Sequence, residues 1–205
     1  MSADLTHIDT WLFDLDNTLY PAESGFMGEI ERRMTAYVQK VTGLDPEPAY
    51  RLQKDYLAHY GLTLGGLIEH YGVDPLDFHA IFHDMSLEAL AHDPALVAAI
   101  SRLPGRRLIF TNADDVHAER VLVHLGLGDL FDDVFHIGSA DYVPKPDPRA
   151  FERMNAAHAI APAADLGMTT VLVGPHAPAS TAPFVHHKTE KLAPFLAQAR
   201  LKDAA

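Results

Sequence analysis

Cysteine is absent from this chain of 205 residues. Its absence excludes disulfides, thiolate catalysis and cysteine-based zinc sites. Long apolar runs are absent too: none approaches the ~18 residues that a membrane-spanning helix needs. The first residues, Met1-Ser2-Ala3-Asp4, include no basic segment followed by an apolar one. We therefore expect no secretory signal, no membrane partner and a cytoplasmic location.

Basic residues are few, with 16 Lys and Arg against 28 Asp and Glu, and the net charge is −12 with neutral His. This balance argues against a nucleic acid partner, because nonspecific binding to the phosphate backbone needs basic patches. An anionic substrate must then be attracted by a local positive site rather than by the overall field. The 13 His residues are scattered without metal-ligand spacing. We interpret most of them as surface or satisfied polar side chains.

Two carboxylates follow the first apolar run of the chain. Residues 8–13 form this run, and Asp14, Asp16, Asn17 and Thr18 come directly after it. An apolar run that stops at polar turn-formers is typical of a buried strand that ends in a loop. Asp14 and Asp16 leave such a strand on the same side and can face one pocket. The plainer interpretation of an isolated Asp-x-Asp is a solvated acidic turn, so the case depends on partners elsewhere.

Helical spacing without a strand pattern fills residues 21–90, where four helices are expected. The alternation of strands and helices resumes at about residue 91. We therefore predict an α/β protein with a doubly wound parallel sheet, formed by residues 1–20 and 91–205. A helical domain of residues 21–90 interrupts it after the first strand.

The later strands are expected at residues 107–111, 133–137 and 169–173, with residues 184–185 as a candidate for another short strand. A last helix is expected over about residues 192–200. Thr111 and Asn112 stand at the end of the second strand, and Lys145 lies in a Pro-Lys-Pro loop after the third. In an open α/β sheet, functional groups collect just beyond the carboxyl ends of the strands.

These strand-end residues together suit phosphoryl transfer. One carboxylate can attack phosphorus and form an aspartyl-phosphate, while a second protonates the leaving oxygen and later activates water. A Thr hydroxyl can hold phosphate oxygens, and a lysine supplies positive charge. Mg²⁺ is the expected cation because the available ligands are hard oxygens. Each element alone has a plainer interpretation: Thr111 as a strand-end hydroxyl and Lys145 as a solvated side chain.

The chain resembles the haloacid dehalogenase-like hydrolase superfamily. Phe-Asp-Leu-Asp-Asn-Thr-Leu-Tyr at 13–20 is similar to the first motif of this superfamily, Phe-Thr-Asn at 110–112 to the second, and Lys145-Pro146 to the third. The amino-acid sequences of these motifs are similar to those of bacterial pyrimidine 5′-nucleotidases. Such enzymes are phosphatases whose substrates are nucleoside monophosphates, which are small-molecule phosphate monoesters.

The resemblance implies roles for single residues. Asp14 would be the nucleophile, Asp16 the general acid and base, and Thr111, Asn112 and Lys145 the phosphate-binding and charge-holding groups. It also implies that the Asp14 carboxylate and the Asp16 backbone carbonyl bind Mg²⁺, and that the helical domain forms a cap over the site. The presence of Asp16 distinguishes a phosphatase from a dehalogenase. A dehalogenase lacks an acid at this position because halide leaves without a proton.

One part of the family pattern is missing from this sequence. The family places a fourth strand, with acidic metal ligands at its end, and a helix before the strand predicted at 169–173. Here only five residues, Ala161–Asp165, connect the preceding helix to the segment of that strand. A strand and a helix need at least ~10–12 residues, so the unit is predicted to be deleted.

Two expectations follow from this deletion. We expect residues 169–173 to move into the vacancy beside the first strand, because an unpaired strand edge there is costly. We also expect weaker metal binding, with Asp165 as the acid in the shortened link that could substitute. Asp141 and Asp147 are interpreted as a turn residue and a helix N-cap.

Three functions remain in competition. The first is an Mg²⁺-dependent phosphatase of small phosphate monoesters, with nucleoside 5′-monophosphates favoured by the resemblance. The second is a catalytically impaired homologue that binds phosphate compounds or a protein partner without turnover, as the missing acidic strand end suggests. The third is a phosphomutase, since a sugar hydroxyl can replace water as the phosphoryl acceptor.

Overall fold

The computed structural model describes residues 2–158 and 168–202, in which eight α-helices and five strands occur together with three short 3-10 helices. The strands are β1 Thr10–Phe13, β2 Arg106–Phe110, β3 Asp133–Phe135, β4 Val171–Val173 and β5 His187–Thr189. The helices are α1 Phe26–Thr42, α2 Pro46–Tyr60, α3 Thr63–Tyr71, α4 Pro75–Ala80, α5 Pro94–Ser101, α6 Asp115–His124, α7 Pro148–His158 and α8 Leu192–Gln198.

The first three strands form a parallel sheet in the order β1-β2-β3. Phe13 at the end of β1 pairs with Ile109, which in turn pairs with Val134 of β3. The carboxyl ends of the three strands therefore meet at one edge of the sheet. Gly105 allows β2 to begin close beside β1, because it has φ +79° and a Cβ there would lie 1.9 Å from the Asp9 carbonyl oxygen.

Apolar side chains pack on both faces of this sheet. Phe13 and Ile109 belong to the main core, where the Phe13 ring packs edge-on against Phe131. Phe110 faces the other way, into a smaller cluster that includes Met154 of α7. Successive residues of β2 thus contribute to cores on opposite faces, as a doubly wound sheet requires. The predicted α/β class is confirmed.

Residues 21–90 contain α1 to α4 and no strand, as the helical spacing predicts. Asp74 caps α4, since its side chain accepts a hydrogen bond from the Leu76 backbone N–H at 2.9 Å. Asp45 precedes α2 in the same sequence context but makes no side-chain capping bond. The division into two domains at residues 20 and 91 stays a prediction, and these residues 21–90 are called the helical segment below.

The expected shift of residues 169–173 toward β1 is wrong. β4 instead pairs with β5 in a separate, parallel two-stranded sheet, and among the described residues β1 pairs only with β2. The reason lies in the backbone hydrogen bonds: His187 N donates to Thr170 O at 2.9 Å, and Gly174 N donates to Thr189 O at 3.0 Å. These bonds pair one edge of β4 with β5.

The expected short strand at residues 184–185 is also wrong. Phe184 lies in a turn with 71% of its surface exposed, and the strand forms three residues later, at His187–Thr189. The linking segment Ala161–Asp165, with Asp165 as a candidate metal ligand, lies outside the described residues. The deletion of a strand–helix unit therefore stays a prediction.

None of the helices in the described part of the chain has the length and apolarity needed to cross a bilayer. The cytoplasmic location and the absence of a nucleic acid partner stay predictions.

Candidate active site

Asp14, the first residue after β1, has a side chain that is 47% exposed and held by two donors. Lys145 Nζ donates to its Oδ1 at 2.8 Å, and the Thr18 hydroxyl donates to its Oδ2 at 3.1 Å. Both oxygens are thus fixed while the carboxylate stays open to solvent. The positive charge of Lys145 thus lies directly beside a carboxylate that can act as a nucleophile.

Lys145 reaches the site from the loop before α7, and only 17% of its side chain is exposed. Besides the bond to Asp14, its ammonium group donates to the carbonyl oxygen of Phe110 at the end of β2 and lies 5.0 Å from the centre of the Phe110 ring. The structure therefore places this lysine between the ends of β1 and β2, where it supplies a local positive charge in an acidic protein.

Asn112 holds the lysine loop in place. Its side-chain Oδ1 accepts from Lys145 N at 2.8 Å, and its Nδ2 donates to Lys145 O at 3.1 Å. This amide is thus engaged with the backbone on both sides of Lys145. Thr111 is 1% exposed, and its hydroxyl oxygen accepts from Ala113 N at 3.0 Å; this hydroxyl donates no hydrogen bond to another described residue.

Asp16 lies in a different environment from Asp14. Its side chain is 22% exposed, and its Oδ1 accepts from the Tyr20 hydroxyl at 2.7 Å and from His117 Nε2 at 3.1 Å. Burial acts to raise the pKa of Asp16, but the hydrogen bond and charge of His117, with Tyr20 and Lys145, outweigh burial and lower this pKa. The resting carboxylate is therefore ionised.

Tyr20 and His117 are the site residues that sequence reasoning missed. Tyr20 is 2% exposed, and burial, followed by the charge of Asp16, raises the pKa of its hydroxyl, which stays a proton donor. His117 is 4% exposed and lies in the first turn of α6. The available signal was position: Tyr20 lies one helical turn beyond Asp16, and His117 follows the second strand end by a few residues.

A second group of buried polar residues lies next to His117. His83 Nε2 contacts Asp114 Oδ2 at 2.6 Å, and His79 Nδ1 lies 3.8 Å from the same oxygen. Burial lowers the pKa of His79, and its Nε2 is buried with no hydrogen-bond partner among the described residues. His79 is therefore an exception to the interpretation of most histidines as surface or satisfied side chains.

A cavity of about 400 Å³ lies between the helical segment and the residues that follow β2. Its polar lining includes Asp16, Asn112, Asp114 and His117, so it opens on the second carboxylate of the site. Most of its wall is apolar and comes from the helical segment: Met27, Ile30, Met34, Leu57, Leu62, Leu64, Phe78 and Phe82. Such a cavity accommodates a ligand with a large apolar face and few polar groups.

The oxygen donors that could bind a cation are few. Among the described residues, no group of three or more His, Cys, Asp and Glu side chains is arranged to hold a metal ion. Asp141, at φ 48°, pairs with Arg153 at 2.6 Å, and Asp147 pairs with Arg149 at 2.7 Å. The hydrogen bond from the Arg149 side chain lowers the pKa of Asp147 to about 2. The carboxylate of Asp14 and the carbonyl of Asp16 are hard oxygens that fit a cation which keeps most of its waters.

The fold and this site define an α/β enzyme with two acidic groups directly after one strand of a parallel sheet. The chain belongs to the haloacid dehalogenase-like hydrolases, because the model of that family matches residues 8–157. The expected family is thereby confirmed, and the chain is a hydrolase.

Three relatives illustrate the similarity. Phosphate metabolism protein 8 of Saccharomyces cerevisiae is 30% identical over 157 residues, which cover 69% of this chain and 49% of the relative. The chain thus spans about half the length of this curated relative.

The other two relatives are solved structures. The crystal structure of a HAD phosphatase from Thermococcus onnurineus is similar with a TM-score of 0.60 and 16% identity, over 94% of this chain and 100% of that one. A haloacid dehalogenase-like family hydrolase from Streptococcus pneumoniae gives a TM-score of 0.56 and 14% identity, over 93% and 97%. At these identities the two structures show the common fold alone.

Proposed function

We propose that this hydrolase is a phosphatase of small phosphate monoesters that acts through an aspartyl-phosphate on Asp14. The observation that carries the proposal is the position of the Asp14 carboxylate, half exposed and held between Lys145 Nζ at 2.8 Å and the Thr18 hydroxyl at 3.1 Å. An exposed and oriented carboxylate beside a fixed cation suits attack on a phosphoryl group that carries negative charge.

Lys145 would act mainly through its charge. Its ammonium group is held by Asp14 and by the Phe110 carbonyl, and Asn112 fixes the backbone around it. A preorganised positive charge stabilises the oxygens of a transferring phosphoryl group without reorganising during the reaction. The Thr111 hydroxyl and the backbone N–H groups of this loop would hold the other phosphate oxygens, and Asn112 would act through the lysine loop.

Asp16 would serve as general acid and base. Its carboxyl group lines the cavity, where the leaving group of the ester would lie, and one of its oxygens is held by Tyr20 and His117. When the enzyme–phosphate ester breaks down, the ionised carboxylate can take a proton from the attacking water. A dehalogenase does not need this second acid, because its halide leaving group takes no proton. The presence of Asp16 therefore favours a phosphatase within the family.

The substrate is proposed from the shape of the cavity. Its largely apolar wall suits the flat face of a nucleobase better than a free sugar, whose hydroxyls would need partners. We therefore favour nucleoside 5′-monophosphates, pyrimidine nucleotides among them, over sugar phosphates. The helical segment would act as the cap that excludes water. The name of the yeast relative, which refers to phosphate metabolism, agrees with a phosphate substrate.

Mg²⁺ would be held by the Asp14 carboxylate and the Asp16 backbone carbonyl. When bound, the cation would neutralise charge on the phosphoryl group. Because few protein ligands are available in the described residues, we expect the cation to bind weakly and to keep most of its waters.

The test is phosphate release from a panel of nucleoside and sugar monophosphates at titrated Mg²⁺, with Asp14→Asn as the blank. We expect turnover of nucleoside monophosphates that rises with Mg²⁺ and vanishes in the variant. Turnover of sugar phosphates alone would contradict the proposed substrate. Turnover that persists in Asp14→Asn would contradict the mechanism.

A catalytically impaired phosphate-binding protein is the second candidate. The small number of acidic ligands among the described residues is the observation that favours it. This candidate predicts that nucleoside monophosphates bind, measured by calorimetry, while no Mg²⁺ concentration gives phosphate release from a folded sample. Any turnover that depends on Asp14 excludes it.

A further inference from the structure

The hydrogen bonds on Asp16 point to a residue that the family motifs leave out. Resting on the proposed phosphatase function, we propose that His117 is a positioning residue for proton transfer. It would hold one oxygen of Asp16 so that the other oxygen carries the proton to and from the leaving group.

The two oxygens of Asp16 are not equivalent. Oδ1 accepts from both the Tyr20 hydroxyl at 2.7 Å and His117 Nε2 at 3.1 Å. No hydrogen bond between described residues reaches Oδ2. Because a carboxylate only accepts hydrogen bonds, His117 must carry its proton on Nε2. The two donors occupy Oδ1 and leave Oδ2 as the oxygen available for proton transfer.

His117 is itself firmly held. It is 4% exposed, its backbone N–H donates to Asp114 Oδ1 at 2.8 Å, and its ring stacks on Phe26 with centroids 6.0 Å apart and planes at 24°. Phe26 begins α1 of the helical segment, whereas His117 belongs to α6. The imidazole is therefore fixed by both parts of the protein, which suits a group that must orient another side chain.

The orientation of Asp16 matters because this side chain gives a proton to the leaving group and later takes one from water. As Asp14 forms its bond to phosphorus, the bond from phosphorus to the leaving oxygen breaks, and its electron pair stays on that oxygen. Asp16 is ionised at rest, so it first takes up a proton from solvent. The leaving oxygen takes this proton, and Asp16 becomes a carboxylate again. Water then attacks the phosphoryl group, the bond from phosphorus to Asp14 breaks, and the water gives a proton to Asp16, which releases it to solvent, so the enzyme returns to its starting state.

The need for this proton depends on the leaving group. A nucleoside leaves as a basic alkoxide unless it is protonated, whereas p-nitrophenolate is stable without a proton. The value of kcat/KM reports the first irreversible step, which is expected to be the breaking of the ester bond. Loss of the Asp16 orientation should therefore lower kcat/KM for nucleoside monophosphates far more than for p-nitrophenyl phosphate.

The experiment compares His117→Leu, His117→Asn and His117→Gln with wild type on both substrates. Glutamine can place an amide N–H near the position of Nε2, whereas asparagine is one methylene too short. We expect Leu and Asn to lower kcat/KM for a nucleoside monophosphate roughly tenfold, the value of one hydrogen bond while Tyr20 still holds Oδ1, with a much smaller loss on p-nitrophenyl phosphate. Gln should restore most of the difference.

His124→Leu is the matched control, because it removes another histidine of α6, one that contacts the Leu90 carbonyl at 2.9 Å away from the site. Its ratio of the two kcat/KM values should equal that of wild type. Equal losses on both substrates in the His117 variants would mean a purely structural role and would overturn the inference. So would an unchanged ratio, or Gln and Asn variants that behave alike.

The substrate ratio is measured within each variant, so partial loss of folded protein does not alter it. If His117→Leu does not fold, the Gln and Asn pair decides. Failure of the proposed function looks different: wild type would hydrolyse neither substrate, or Asp14→Asn would hydrolyse both, and the inference would then fall with it.

Discussion

The two carboxylates that follow β1 are two residues apart in sequence but lie in contrasting regions of the site. The lysine side consists of Asp14, Thr18 and Lys145, with a carboxylate that is 47% exposed and bonded to a cation. The histidine side consists of Asp16, Tyr20 and His117, with a carboxylate that is 22% exposed and bonded through one oxygen.

The comparison shows how one strand end can supply two chemistries. Residues i and i+2 of a strand lie on the same side, but β1 ends at Phe13, and the loop turns directly after Asp16 at Asn17, which adopts φ 59°, a conformation that asparagine tolerates better than most residues. Environment then separates the two acids, one open for attack and one enclosed for proton transfer, as in other enzymes that use paired carboxylates.

Asp14→Asn on the lysine side should have the largest effect. An amide is a poor nucleophile, so kcat should fall at least ~10³-fold. Steady-state phosphate release measures the loss. Asp129→Asn makes the same charge change at an exposed position and should behave as wild type. If Asp14→Asn kept more than a small part of the activity, the roles of the two sides would have to be exchanged.

Lys145→Met should be next, with a loss of about 10²- to 10³-fold in kcat/KM, the range for removing one electrostatic contact to the transition state. Lys145→Arg should not restore activity, because the planar guanidinium cannot take the compact position between Asp14 and the Phe110 carbonyl. Kinetics of both variants at saturating Mg²⁺ provide the measurement. An active arginine variant would show that charge alone suffices.

Asn112→Ala should lower kcat/KM about tenfold, since it removes two hydrogen bonds that together contribute ~1–2 kcal/mol to the position of the lysine loop. A double-mutant cycle with Lys145→Met checks the cause. Because Asn112 would act through Lys145, its effect should largely disappear in the Met background. Additive effects would instead favour a direct contact between Asn112 and the substrate.

Tyr20→Phe on the histidine side should reduce kcat/KM for nucleoside monophosphates about three- to tenfold, the value of one hydrogen bond, because His117 still holds Oδ1. The phenyl ring keeps the edge-on packing against Phe26, whose centroid lies 5.7 Å away. Circular dichroism should therefore show an unchanged fold. A loss larger than that of the His117 variants would make the tyrosine the principal donor.

The stability of the protein should depend on pH through His79, which lies near the histidine side. Burial lowers the pKa of His79 in the folded state below the ordinary value of 6.5. The charge of Asp114 acts to raise this pKa, whereas nearby His83 and His117 lower it further. The unfolded chain therefore binds the proton first as the pH falls, and stability is lost below pH 6.5. Urea unfolding of His79→Gln between pH 7 and 5, approximately the range of histidine titration, should show a flatter dependence than wild type. Equal slopes would contradict the neutral, buried state of His79.

Much of the lysine side could be predicted from sequence because its signals are local. Asp14, Thr111 and Asn112 each follow an apolar run directly, and parallel pairing brings the ends of such runs together. Lys145 follows the third strand in a loop that proline residues mark. The structure brings these residues together at one edge of the sheet, whereas their roles stay predictions.

The histidine side could not be predicted because its signals are tertiary. His117 resembles the other 12 histidines until the packing of α6 on Phe26 buries it. β5 escaped prediction for a related reason: His187-Lys188-Thr189 has no apolar pattern, and its strand forms by backbone pairing with β4. Among the described residues β4 pairs with β5 and not with β1, the partner that the sequence predicted.

The most direct measurement is chemical trapping of the enzyme–phosphate ester. Borohydride added to the enzyme during turnover of a nucleoside monophosphate with Mg²⁺ reduces an aspartyl-phosphate to homoserine, which peptide mass spectrometry locates. We expect this conversion at Asp14 alone, only when substrate is present, and none in Asp14→Asn. Turnover without any conversion, or conversion at Asp16, would contradict the assignment of the nucleophile to the lysine side.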